Sequence, residues 1–143
     1  MKFHPLAIIS VITFILTIIL VFWVSYMLWY PINLISVKNS QSIPVDRSIY
    51  HPEDRITYTL DYCKTKNLTA SVSRALVDDY RLVFESMNSN LEKGCHVVKV
   101  NEVLIPEFTQ SGTYHLEITG TYQINVLRVY TLNLRTVDFQ IEK

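Results

Sequence analysis

The stretch TYHLEITGTYQI, residues 113–124, carries the clearest secondary-structure signal in this chain of 143 residues. Apolar and polar side chains alternate along its whole length. Because successive side chains of a strand point to opposite faces of a sheet, the pattern predicts an antiparallel strand with one buried and one solvated face. The predicted buried face carries Tyr114, Leu116, Ile118, Tyr122 and Ile124.

Other segments with the same period surround this stretch. Residues 55–63 alternate in the same way, and further strands are predicted at 68–76, 80–86 and 95–105. The apolar parity then changes between Leu134 and Val137, which predicts a bulge or kink near Arg135 and Thr136. About seven short strands separated by turns favour an all-β sandwich of two sheets.

A long apolar run precedes the strands. Residues 6–28 contain no charge, glycine or proline, and a helix of that length reaches about 34 Å. A bilayer hydrocarbon core is about 30 Å thick, so the run predicts one transmembrane helix. Lys2 and the amino terminus flank the run on one side. The positive-inside bias therefore predicts a cytoplasmic N-terminus and an extracytoplasmic C-terminal domain, either periplasmic or on the cell surface.

Two groups of residues in and beside this run are candidate contact residues. Trp29 and Tyr30 stand where an aromatic belt would meet the outer membrane interface. Ser10, Thr13 and Thr17 share one side of the helix and are candidates for a helix–helix contact in the membrane. The alternative is that these hydroxyls bond their own backbone carbonyls.

The predicted organisation has three parts: a signal-anchor helix at 1–30, an extended stalk at 31–48 and a β domain at 49–143. A cleaved signal peptide is disfavoured because the apolar core is long and a small-residue cleavage site is missing. A pilin-like filament subunit, whose hydrophobic helices form a fibre core and display a β-domain, is an alternative. It would require a basic leader ending in a small residue, which Met1 to Pro5 do not contain.

Three segments resemble those of immunoglobulin-like modules: PEDRITYTLDY at 52–62, LEKGCHVVKV at 91–100 and SGTYHLEITGTY at 111–122. Such modules occur on many bacterial, archaeal and viral surface proteins. The resemblance covers most of the β domain and implies an immunoglobulin-like antiparallel sandwich, although the central tryptophan of antibody domains is missing. It implies a fold and no particular function.

In an immunoglobulin-like order, the strand that ends at Cys63 and the strand that begins at Cys95 are antiparallel neighbours. Both cysteines also take the outward parity, so the resemblance implies a Cys63–Cys95 disulfide in an oxidising, extracytoplasmic location. Two unpaired thiols are the alternative. A metal site is disfavoured because two cysteines and His96 fall short of four ligands at zinc-finger spacing.

Composition and motifs narrow the function. Thirteen basic and thirteen acidic residues cancel, so no basic face for nucleic acid is predicted. The sequence contains no nucleophile elbow, phosphate loop, dinucleotide motif or HExxH, so no catalytic residue, cofactor or metal is predicted. Asn67 begins an Asn-Leu-Thr glycosylation sequon in a predicted loop.

Two surface features remain as candidates for recognition. Most tyrosines take the inward parity, which favours filling of the core over a recognition patch. Val126 and Leu127, beside Asn125, form an apolar loop tip, which is either a contact site or a loop folded back over the sandwich.

We therefore expect a non-catalytic, single-pass membrane protein that acts by binding. Its expected partners are the lipid bilayer and proteins of a cell-envelope, surface or virion assembly. A small membrane-tethered hydrolase is the alternative from a different functional class.

Overall fold

The computed structural model describes residues 5–29 and 33–143 of the chain. These residues form one helix and nine strands in two compact units. The first unit contains the helix together with Asn125–Arg128, and the second, here called the β unit, contains residues 33–124 and 129–143. The elements are α1 (Pro5–Trp29), β1 (Ile35–Val37), β2 (Ile49–Tyr50), β3 (Arg55–Lys64), β4 (Ala70–Val77), β5 (Arg81–Ser89), β6 (Gly94–Leu104), β7 (Gly112–Asn125), β8 (Arg128–Arg135) and β9 (Phe139–Ile141).

The helix α1 is apolar on all of its sides. Most of its large apolar side chains, from Ile8 to Trp29, are exposed and are not covered by other described residues. By length and composition, Ile8–Trp29 is a segment that can cross a membrane. A helix that is hydrophobic all round needs either a protein core or lipid around it, and no part of this apolar window is buried within the described chain.

The strands of the β unit form two sheets. One sheet has the order β1-β3-β6, and the other has the order β2-β9-β7-β4-β5, with β8 also paired to β7. The described part of the chain is therefore mostly β-structure preceded by one apolar helix, as the alternating patterns and the apolar run predict. It has nine strands where the sequence predicts about seven.

Alternate positions of β3 and β7 supply a large share of the core of the β unit. In β3, burial alternates through Ile56, Tyr58, Leu60 and Tyr62. In β7, it alternates from Tyr114 through Tyr122. The buried face that the sequence predicts is confirmed for residues 55–63 and from Tyr114 to Tyr122, whereas Ile124 is only half-buried.

The predicted stalk at 31–48 is wrong over its described part. Leu34, Ile35 and Ile43 are buried, and β1 pairs with β3 from Ile35↔Lys64 to Val37↔Tyr62. Isolated bridges join Ile43 to Thr136 and Val45 to Tyr58. The β unit therefore begins at residue 33, because this segment takes its hydrogen bonds from strands far away in sequence and shows no periodicity of its own.

The predicted interruption near Arg135 and Thr136 is present. β8 ends at Arg135 and β9 begins at Phe139. Between them, buried Thr136 accepts a hydrogen bond from the Leu116 amide through its side-chain oxygen (2.9 Å), and its own amide donates to the Leu116 carbonyl (3.0 Å). This break lets the apolar parity change before Phe139 and Ile141 enter the core.

Candidate binding site

A depression of about 260 Å³ lies in the β unit, between the turn that joins β4 to β5 and the loop that joins β6 to β7. We call it the aromatic pocket. The residues that line it include Asp78, Tyr80, Arg81, Phe108, Thr109 and Tyr114.

Two hydrogen-bonded turns hold exposed aromatic rings at this pocket. In the β4–β5 turn, the Asp78 amide donates to the Tyr80 carbonyl (3.0 Å), and the Asp78 carboxylate accepts from the Tyr80 amide (2.6 Å). In the β6–β7 loop, the Thr109 amide donates to the Pro106 carbonyl (3.0 Å). Tyr80 is 81% exposed and Phe108 is 72% exposed, so the turns present both rings to solvent.

Buried Tyr114 is part of the pocket lining. Its hydroxyl donates to the Gln110 carbonyl (3.0 Å). Burial, and next the hydrogen bond and negative charge of Asp78, raise the pKa of Tyr114 to about 12. A Cβ on Gly112 would lie 3.3 Å from the Tyr114 ring, so the glycine leaves the space that the ring occupies.

One buried polar atom of the pocket lining, the Thr109 hydroxyl oxygen, makes no hydrogen bond to the part of the chain that the structure describes. A buried polar atom without a partner costs about 1–3 kcal/mol. The pocket thus combines exposed aromatic rings with an unused hydrogen-bonding group.

A polar groove of about 410 Å³ adjoins the pocket through Arg81, which lines both. The Arg81 guanidinium lies 3.1 Å from the Glu117 carboxylate. His115 lies on β7 with Glu117. Its Nε2 atom is 3.8 Å from the Glu117 carboxylate, and its Nδ1 atom is 3.8 Å from the Asp138 carboxylate. Within the described residues, no group of three or more His, Cys, Asp or Glu side chains is arranged to hold a metal ion.

This arrangement is suited to binding a protein surface. Tyrosine is among the side chains that most often dominate the energy of protein–protein contacts, and aromatic residues in general are enriched in such contacts. Tyrosine and phenylalanine supply a large contact area with little loss of side-chain entropy. The charged pair Arg81–Glu117 at the rim adds orientation more than affinity.

The structure joins Cys63 and Cys95 by a disulfide. The two residues are direct partners in the β3–β6 register, with Cα atoms 4.0 Å apart. The pairing that the immunoglobulin-like order implies is therefore present, and it links two strands of one sheet.

The other predicted residues lie far from the aromatic pocket in sequence. In α1, the Thr13 hydroxyl donates to the Ile9 carbonyl and the Thr17 hydroxyl to the Thr13 carbonyl, both at 2.9 Å. These bonds are the alternative to a helix–helix contact that the sequence indicates for these hydroxyls. Ser10, on the same side of the helix, is exposed. Trp29 is exposed at the end of α1. Tyr30 lies outside the described residues.

The sequon residue Asn67 is exposed in the loop between β3 and β4. Its predicted loop position agrees with the structure, and its use for glycosylation stays a prediction.

Sequence reasoning missed the two exposed aromatic residues of the pocket, Tyr80 and Phe108. The inward parity of most tyrosines favours filling of the core, yet Tyr80 is among the most exposed large side chains of the β unit. Its position directly after Asp78 and Asp79 in a turn is the signal that could have separated it from the others. Phe108 follows Pro106 and Glu107 in a turn, which is a similar signal.

Lys64 is a second residue whose environment the sequence does not show. It is buried at the end of β3, where its ammonium group donates to the carbonyls of Leu68 and Leu91, both at 2.7 Å. The ammonium also lies 5.8 Å from the centre of the Tyr122 ring. Burial lowers the pKa of Lys64. These contacts tie two loops to the end of the sandwich.

Comparisons with known proteins add little. No protein-family model matches the sequence, and no curated protein matches it. Among solved structures, the chain is similar to the Pseudomonas fluorescens alkylpurine DNA glycosylase AlkC bound to DNA containing an abasic site analog, with a TM-score of 0.46 and 12% sequence identity. The match covers 79% of this chain and 32% of the glycosylase chain. A likeness this weak carries no argument about function.

Proposed function

We propose that this chain is a single-pass membrane protein with a cytoplasmic N-terminus that displays a non-catalytic, protein-binding immunoglobulin-like domain outside the cytoplasm. In this proposal it acts as an accessory or structural subunit of a cell-envelope, surface or virion assembly. The observation that carries the proposal is the apolar window of α1, none of which is buried within the described chain.

The strand order supports the immunoglobulin-like assignment. In such sandwiches, strands B and E share one sheet and strands C, F and G share the other. Here β3 and β6 take the places of B and E, and β4, β7 and β8 take those of C, F and G. The disulfide departs from antibody domains, where it joins B to F across the two sheets, because here it joins β3 to β6 within one sheet.

The disulfide also supports the proposed location. Disulfides persist in oxidising compartments and are rare in the cytoplasm. A crosslink between β3 and β6 therefore fits a β unit that is displayed outside the cytoplasm.

The membrane topology is tested by labelling with a membrane-impermeant thiol reagent in intact cells. Val97→Cys places a thiol on an exposed position of β6, and Lys2→Cys places one before the apolar run. We expect labelling at position 97 in intact cells and labelling at position 2 only after permeabilisation. Extraction of the chain by alkaline carbonate, or labelling of position 2 from outside, would overturn the proposed topology.

The binding role is tested by photo-crosslinking from the aromatic pocket. A photoreactive amino acid at position 108 should yield a discrete protein adduct in native membranes, and the same group at position 80 should yield the same adduct. Position 97, exposed on the other sheet, is the matched control. Identical adduct patterns at all three positions would mean that the pocket is not a selective protein contact.

A further inference from the structure

The turn between β7 and β8 is apolar and exposed. We call residues Asn125–Arg128 the hairpin tip. Val126 is 84% exposed and Leu127 is 51% exposed. Tight turns usually carry Gly, Asn, Asp or Ser, because these residues adopt or hydrogen-bond the turn backbone. Two adjacent aliphatic side chains exposed to water are unfavourable.

A side chain of the hairpin tip, that of Asn125, makes a hydrogen bond to the backbone of the same turn. The Asn125 carboxamide oxygen accepts from the Leu127 amide at 2.9 Å. A turn whose amide is satisfied in this way can enter a region with little water at lower cost, because each unpaired backbone group in lipid is expensive.

The hairpin tip belongs to the same compact unit as α1. Within this unit, the Asn125 carboxamide nitrogen donates to the Met27 carbonyl at 3.3 Å. Met27 lies in the last turn of α1, where carbonyls lack a donor from within the helix. Asn125 therefore caps the end of the helix and holds Val126 and Leu127 beside it.

We propose that Val126 and Leu127 insert into the lipid interface of the membrane that α1 spans. The inference rests on the proposed function, since it requires α1 to cross a bilayer. Trp29, exposed at the same end of α1, is the type of residue that marks this interface. The occupant of the exposed apolar surface is then phospholipid, at the level of the headgroups and the first acyl carbons.

The test measures depth at three positions of the full-length chain in phosphatidylcholine vesicles. A nitroxide is attached to Val126→Cys, to Val21→Cys in the middle of α1, or to Val97→Cys on β6, all of which replace exposed valines. Power-saturation EPR then compares collisions with oxygen, which concentrates in lipid, and with a water-soluble nickel chelate. Non-reducing mass analysis checks that Cys63 and Cys95 remain paired in each variant.

We expect the ratio of oxygen to nickel collisions at position 126 to lie between those at positions 21 and 97 and clearly above that at 97. A value at 126 equal to that at 97, with position 21 in lipid, overturns this inference and leaves the membrane anchor standing. Low collision rates with both reagents at 126 would indicate a protein contact and also overturn it. An aqueous value at position 21 overturns the proposed function together with this inference.

Discussion

Opening the Cys63–Cys95 crosslink should lower the free energy of unfolding of the β unit by about 3.7 kcal/mol. The two cysteines are 32 residues apart in sequence. In the chain-entropy treatment, a crosslink that closes a loop of this length removes about 12 cal/mol/K from the unfolded ensemble, which is about 3.7 kcal/mol at 25 °C. For a domain of this size, the loss corresponds to a melting temperature lower by about 15 °C.

The assay is guanidinium unfolding of the full chain in detergent micelles, followed by circular dichroism in the β-sheet band. Cys63→Ala, Cys95→Ala and the double variant should lose similar amounts, because each of them opens the same loop. Reductant should lower the stability of the parent chain by a similar amount and leave the double variant unchanged.

A matched control lies two residues along the same strand pair. Asp61 and Val97 are register partners in β3 and β6 on the face that carries the two cysteines, but no covalent bond joins them. The Asp61→Ala/Val97→Ala variant should therefore lose much less stability than the cysteine variants. The reasoning is refuted if reductant costs the parent chain less than about 1 kcal/mol, since the entropy of loop closure would then not be the main contribution.

Three further predictions use the same unfolding assay. Lys64→Met should lower the free energy of unfolding by about 2 kcal/mol, because two loop carbonyls lose a charged donor. The control Lys38→Met, at an exposed ion pair, should change it by less than about 0.5 kcal/mol. Equal effects of the two substitutions would contradict the role given to Lys64. Ile43→Ala should lower the free energy of unfolding by about 3 kcal/mol, because Ile43 is fully buried. Ile49→Ala, at a half-exposed position, should lower it far less. A negligible effect of Ile43→Ala would support the predicted stalk instead. Burial, followed by the hydrogen bond and charge of Asp46, raises the pKa of Tyr50 from 10.0 to about 12. The folded state therefore keeps this proton at a higher pH than the unfolded state. We expect the free energy of unfolding to fall as the pH rises from about 10 to about 12. Tyr50→Phe should reduce that slope without removing it, because Tyr114 also has a pKa of about 12. An unchanged slope would show that Tyr50 does not contribute to it.

The sequence was sufficient for features that depend on local periodicity. Alternation in residues 55–63 and 113–124 specified both the strands and their buried faces, because a strand places neighbouring side chains on opposite sides. The apolar run at 6–28 specified a helix of membrane-spanning length, because its composition is apolar throughout. The disulfide followed once strand parity was combined with the immunoglobulin-like order.

Features that depend on distant partners could not be found in this way. Residues 33–48 contain scattered apolar side chains, and they belong to the β unit because β3, Arg135 and Val137 form hydrogen bonds with them. Lys64 continues the inward parity of β3 in the structure, but the sequence does not show that two loop carbonyls would meet its ammonium group.

The aromatic pocket is a further example. Tyr80 and Phe108 stand 28 positions apart in the chain. The local sequence around each of them shows only an aromatic residue near a turn. They line one depression because β4, which leads into the first turn, pairs with β7, which follows the second loop. Local patterns report which face of an element is buried, whereas pairing between distant strands determines which exposed side chains become neighbours.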